Sequence, residues 1–189
     1  MRTVIATLES TSPYSQSGIH TTPKLDRETN DDYEKRTWRE RLHTDEEGNV
    51  FIPPMAFKNA LSEAAKFLGK QIPGKGKSTY TKHFEAGVLV MDPVFLGIKK
   101  DEVPGEWFFV PVDGVRGSGK RVWKNFTVIR KWTAEVKFYI LDNTVTKPVF
   151  EEHLKEAGNF IGIGRFRPRN NGFYGRFQVA GLKWLEEAA

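Results

Sequence analysis

The chain has 189 residues, 39% hydrophobic and 13% aromatic, a balance that excludes a disordered polymer and gives a single domain over 1–189 enough apolar mass for a core. It carries 29 Lys+Arg against 24 Asp+Glu and no cysteine, so disulfides and thiolate metal sites are excluded and a reducing, cytoplasmic setting is expected. No stretch is apolar for long enough to span a bilayer, and the opening "MRTVIATLES" lacks the apolar centre of a secretion signal, so no membrane partner is expected.

"RTVIATLES" (2–10) alternates and predicts a first strand. A long polar excursion, 11–50, follows with few apolar anchors. "FIPPMAFKNALSEAAKFLG" predicts a helix, with Pro53 and Pro54 where proline is tolerated and Gly69 as its stop. Phe57, Leu61, Ala64 and Leu68 recur at helical spacing and give it one buried stripe. "QIPGKGKSTYTKH" reads as a flexible basic loop. "AGVLVMDPVFLGI" (86–98) predicts a buried second strand, broken or bent at Pro93. The pieces "EWFFVPV" and "NFTVIRKW" flank "DGVRGSGKR" and predict a protruding hairpin. "WTAEVKFYIL" (132–141) alternates cleanly, as a core strand should. "TKPVFEEHLKEAGNF" predicts a helix with Phe150, Leu154 and Ala157 inward, and "GRFQVAGLKWL" a last strand. The order βαββαβ is the ferredoxin-like, RRM-like α+β arrangement, decorated by insertions at 11–50 and 93–131.

Charge is segregated along this order. Windows 66–82, 115–131 and 162–177 hold 5, 6 and 4 Lys+Arg with no acid, and the remainder holds 14 basic and 24 acidic residues. Such segregation predicts a field aimed at a polyanion, unless the windows are solvated loops pointing apart. The last window lies within "IGIGRFRPRNNGFYGRFQV", with four glycines and four arginines. In a glycine-rich turn, backbone N–H groups can converge on an anion, here with Arg165, Arg167 and Arg169 around it and Pro168 keeping them splayed. A structural hairpin with exposed arginines is the plainer reading. In the middle window Arg116, Lys120, Arg121 and Lys124 surround Trp123 and Phe126, which suits stacked bases and a tracked backbone, or else core and subunit contacts. Lys58, at a helix start, sits against the helix dipole and makes better sense beside an anion.

These patterns resemble the RAMP superfamily of CRISPR-associated proteins. Gly162, Gly164, Gly172, Phe173 or Tyr174, Gly175 and Arg176 match the glycine-rich loop of that family. "FIPPMAFKNAL" is similar to the segment opening the first helix of guide-coating backbone subunits; Ile52, Pro53, Phe57 and Lys58 keep the pattern, whereas Pro54, Met55 and Ala56 depart from it. The hairpin sits where those subunits carry a thumb. The resemblance implies single-stranded RNA (guide RNA) as partner, held along its backbone, with copies of the chain and other effector subunits alongside. It also leaves open single-stranded DNA binding by a stand-alone or viral relative.

Catalysis has weaker support. His20, His43, His83 and His153 lack metal-ligand spacing. Processing nucleases of the superfamily use a histidine, for which His20 is the candidate here. Target-cutting subunits use a loop aspartate, for which Asp26 and Asp31 are candidates, with Asp32 and Asp45 nearby. "DRETNDDYEKR" reads more simply as a solvated charged loop. No motif calls for an organic cofactor or a metal.

Overall fold

The computed structural model describes residues 1–115, 117 and 119–185. Its centre is a four-stranded antiparallel sheet in the order β3-β7-β1-β8, built from β1 (Arg2–Ser10), β3 (Val88–Leu89), β7 (Thr133–Ile140) and β8 (Phe177–Leu185). Alternation decides which face is covered: Val4, Ala6 and Leu8 of β1, with Val136, Phe138 and Ile140 of β7, are all buried. Helices α2 (Pro54–Leu68) and α4 (Lys147–Glu156) supply the crossovers, so the core is ferredoxin-like. Phe138 meets Phe150 of α4 edge-to-face at 5.2 Å, and Phe57 of α2 meets Phe177 of β8 at 5.9 Å. Gly69 ends α2 in the left-handed conformation, with φ 56°.

The apolar run 86–98 does not form one strand. Gly87 ends a short helix, α3 (Thr81–Gly87), and only Val88 and Leu89 join the main sheet. Beyond Pro93 the chain re-pairs as β4 (Val94–Lys99) with β2 (Asn49–Ile52), through Phe51↔Phe95 and Ile52↔Val94. Proline has no N–H for the ladder, so the run divides there and serves two sheets.

The polar excursion is anchored more firmly than its composition suggests. Tyr14, Trp38, Leu42 and Val50 are buried. Helix α1 (Asn30–Thr37) is capped by the Thr29 hydroxyl, which accepts from the Asp32 N–H at 3.2 Å. The predicted hairpin is present as β5 (Gly105–Pro111) and β6 (Arg121–Thr127), paired from Gly105↔Thr127 to Pro111↔Arg121. No helix among the described residues is long and apolar enough to cross a membrane.

Candidate nucleic-acid interface

Helix α4 leaves its regular course in a π turn, Ala157–Ile161, closed by the Gly162 N–H donating to the Ala157 carbonyl at 2.8 Å. Gly158 permits the turn, since a Cβ there would run into the Phe177 carbonyl of β8. The glycine-rich loop then folds over a strap of residues 11–16. Arg165 N–H donates to the Ser15 carbonyl at 2.9 Å, and Gly175 N–H to the Pro13 carbonyl at 2.7 Å. The strap is itself tied to Ile129 by two 2.8 Å bonds with Tyr14.

This wiring changes the expected role of the loop backbone. The N–H groups of Gly162, Ile163, Arg165, Asn170, Asn171, Gly172, Tyr174 and Gly175 all donate to protein carbonyls. They are not gathered around an anion, so any attraction for one rests on side chains.

The arginines do not fan out together. Arg167 donates to Glu63 of α2 at 2.9 Å, and Arg169 lies 3.8 Å from the other oxygen of the same carboxylate. Arg176 donates to the Asn159 carbonyl at 2.5 Å and so fastens the loop's exit to the π turn. Arg165 turns inward, its guanidinium 4.1 Å from the centre of the Phe126 ring on β6. Tyr174 is buried edge-on to Phe166, whereas Phe173 is exposed.

Lys58 has a structural explanation that needs no anion. Its ammonium donates to the Ser62 hydroxyl at 2.8 Å and to the Phe84 and Glu85 carbonyls of α3 at 3.3 and 2.7 Å. All three donors are spent on neutral oxygens.

Two of the basic windows reach the loop. Phe166 packs against Phe108 and Phe126 of the hairpin, at 6.0 and 5.5 Å between ring centres. At the loop's other side, Lys66 and Phe67 of α2 line a cavity of about 160 Å³ with Glu63 and Arg169. Phe67 also meets Phe160 of the π turn at 5.4 Å, and both rings are exposed. Several cations are compensated there: Lys66 pairs with Glu85, Lys70 with Glu152 and Arg130 with Glu106. Lys120 and Arg121, exposed on the hairpin, pair with no carboxylate among the described residues. Arg116 lies outside the described residues.

The pleat of the hairpin separates its aromatic residues. Phe108 and Phe126 face the loop. Phe109 and Trp123, paired across the strands with rings 5.3 Å apart, point the other way with Trp107 and are 49%, 56% and 43% exposed. Trp123 and Phe126 therefore belong to opposite faces. Lys124 lies on the loop side, near Glu34.

Beneath the hairpin sits a buried ion pair. Arg41, in the 3-10 turn Trp38–Arg41, grips Glu34 of α1 with two 2.7 Å bonds, and their side chains are only 16% and 9% exposed. Glu34 also accepts from the Asn125 N–H at 3.0 Å, and Arg41 donates to the Asn125 carbonyl at 3.2 Å, so the pair clamps β6. Burial alone would raise the Glu34 carboxyl; the hydrogen bonds and charge of Arg41 outweigh it and hold the group below its ordinary range. The sequence reading missed this clamp, because "DRETNDDYEKR" carries no sign of which acid is internal. Trp107 and Phe109 could have been found from the two-residue period of "EWFFVPV".

Of the catalytic candidates, His20 stacks on Tyr33 with ring centres 6.2 Å apart, and its buried Nδ1 lacks a hydrogen-bond partner. Asp26 is exposed beside Arg27, and Asp31 is exposed in the first turn of α1. No hydrogen bond or ion pair joins the three among the described residues.

No family model and no curated protein matches the chain. Two solved structures are similar to it. One is a chain of the Type III-B Cmr-beta complex bound to cognate target RNA, at a TM-score of 0.57 and 13% identity, covering 99% of this chain and 61% of that one. The other is Cmr6 from Pyrococcus furiosus, at a TM-score of 0.47 and 14% identity, covering 95% and 98% of the two chains. At such identity the likeness is one of fold, and this fold is the one the RAMP resemblance implies. The present chain spans about three-fifths of the Cmr-beta chain's length.

Proposed function

We propose that this chain is an RNA-binding RAMP subunit of a CRISPR effector-type ribonucleoprotein. It holds single-stranded guide RNA by its phosphates, tolerates any base sequence, and repeats along the strand. The observation that carries this reading is the convergence on one glycine-rich loop of a cationic hairpin on one side and the cationic end of α2 on the other. The fold shared with a chain of an RNA-bound Type III-B complex supports it. Exposed rings at Phe67, Phe160 and Trp123 offer stacking surfaces along such a path, each worth about 1–3 kcal/mol per base.

Fluorescence anisotropy with unrelated oligoribonucleotides tests the reading directly. Affinity should be similar for all of them, and its logarithm should fall linearly with the logarithm of salt concentration. Alanine at Lys120 and Arg121 together should weaken every sequence alike and lower the salt slope by about one for each phosphate no longer neutralised. A loss confined to one sequence would contradict backbone tracking. Incubation with labelled RNA separates holding from cutting. Metal-independent cleavage abolished by His20→Ala, or magnesium-dependent cleavage abolished by changes at Asp26 or Asp31, would replace a holding subunit by a nuclease.

The outward face of the hairpin, Trp107, Phe109 and Trp123, is assigned in this reading to the next copy on the strand. Trp123→Ala should keep the melting temperature and the affinity for a short oligonucleotide, yet fail to build regular multimers on long RNA by light scattering. Weakened short-RNA binding with multimerisation intact would instead place a base on Trp123.

A further inference from the structure

Arg165 is a half-buried cation with no counter-ion of its own among the described residues. Its side chain makes no hydrogen bond to them, and its Nε is buried without an acceptor. Glu34, the nearby carboxylate, is already held by both terminal nitrogens of Arg41. The cluster Glu34, Arg41 and Arg165 therefore carries one uncompensated positive charge. Two hydroxyls on the elements that flank the guanidinium are likewise buried without partners: Ser15 Oγ on the strap and Thr127 Oγ1 on β6. Burial, followed by the charge of Arg41, pushes the Arg165 pKa down to about 10, so the group keeps its proton at neutral pH while its charge remains costly. The local backbone is also unusual. Phe166, the next residue, holds φ 55°, a left-handed conformation rarely adopted outside glycine, and Gly164 lets the loop press onto Ser15 and Tyr14 where a Cβ would collide. Strain and an orphaned charge at one place indicate an arrangement completed by something else.

We propose that Arg165, laid flat on Phe126 where the glycine-rich loop, the strap and β6 meet, forms a discrete subsite for one phosphate group, distinct from the exposed cations of the hairpin. The planar fork is fixed by the ring beneath it and presents its free N–H groups to a pair of phosphate oxygens. The physiological ligand, a phosphodiester of the bound strand, rests on the RNA-holding reading; the phosphate chemistry does not. Binding at this subsite depends on fork geometry, whereas binding at Lys120 and Arg121 depends on charge alone.

Three variants separate these roles. Arg165→Met keeps packing on Phe126 through its thioether, and Arg165→Lys keeps the charge without the fork. Both should lose about tenfold or more in affinity for labelled oligouridylate, whereas Arg121→Lys should lose less than about threefold. In phosphate-free buffer Arg165→Met should melt at or above the wild-type temperature, because a buried unpaired charge has been removed. Inorganic phosphate, compared with chloride at equal ionic strength, should raise the melting temperature of the wild type and not that of Arg165→Met. Equal phosphate responses, or oligouridylate affinity unchanged in both Arg165 variants, would overturn the subsite. If wild-type protein binds no oligouridylate, the RNA reading fails, and the phosphate response alone still decides the subsite.

Discussion

Replacing Gly175 with alanine is expected to cost about 3 kcal/mol or more and to abolish RNA binding in the same step. Gly175 holds φ 71°, and a Cβ there would lie inside the Ile163 carbonyl. The overlap is with backbone, so no rotamer change relieves it. Gly175 also donates to Pro13 and accepts from the Ile163 N–H at 3.0 Å, which makes it the stitch between the two limbs of the loop and the strap. Gly74 provides the comparison: its φ is 76°, but a Cβ there meets nothing within 4 Å. Gly74→Ala should cost only the local backbone strain, about 1–2 kcal/mol. For a chain this size, each kcal/mol moves the melting midpoint by about 2–4 °C, so calorimetry resolves the pair. Equal shifts would show that the loop tolerates rearrangement.

Removing the clamp carboxylate should be comparably severe. Glu34→Ala leaves Arg41 buried beside Arg165 with no anion, and breaking one side of a buried pair typically costs about 3–5 kcal/mol. Arg41→Met in the Glu34→Ala background should recover part of that loss, since the like-charge repulsion disappears with it; simple additivity would show that the two side chains are not coupled. The pH dependence has a definite sign. The folded carboxyl lies below its ordinary value of 4.5, so its stabilising contribution is complete above that value and is lost as pH falls through the lowered folded pKa. Urea midpoints should therefore decline in acid for the wild type, with the Glu34→Gln variant lacking this component.

The main framework was legible because its elements obey clean periods. β1 and β7 alternate, and α2 and α4 carry apolar stripes bounded by proline and glycine. Helix α1 was missed because it has no such stripe: its buried members are Glu34 and Thr37, and a charge pair anchors it. The run 86–98 misled because continuous apolarity does not reveal how many sheets share it. Among site residues, the sequence located the glycine-rich loop and the hairpin but not where the arginines point. A guanidinium amid glycines and aromatics reads as exposed; Arg165 turns inward because Phe126, thirty-nine positions earlier, offers its ring face. Arg167 and Arg169 are drawn to Glu63, an α2 residue with no local signature.

The π turn at the end of α4 makes the aim of the following segment a matter of residue count. Each residue of an α-helix advances the chain by about 100° around its axis, and a π turn accommodates one extra residue before the exit. Excising Asn159 would restore ordinary winding and rotate everything downstream by roughly that angle, with every amino acid of the following loop intact. Related chains could thus point the same arginine-bearing segment in different directions through a single-codon deletion or insertion.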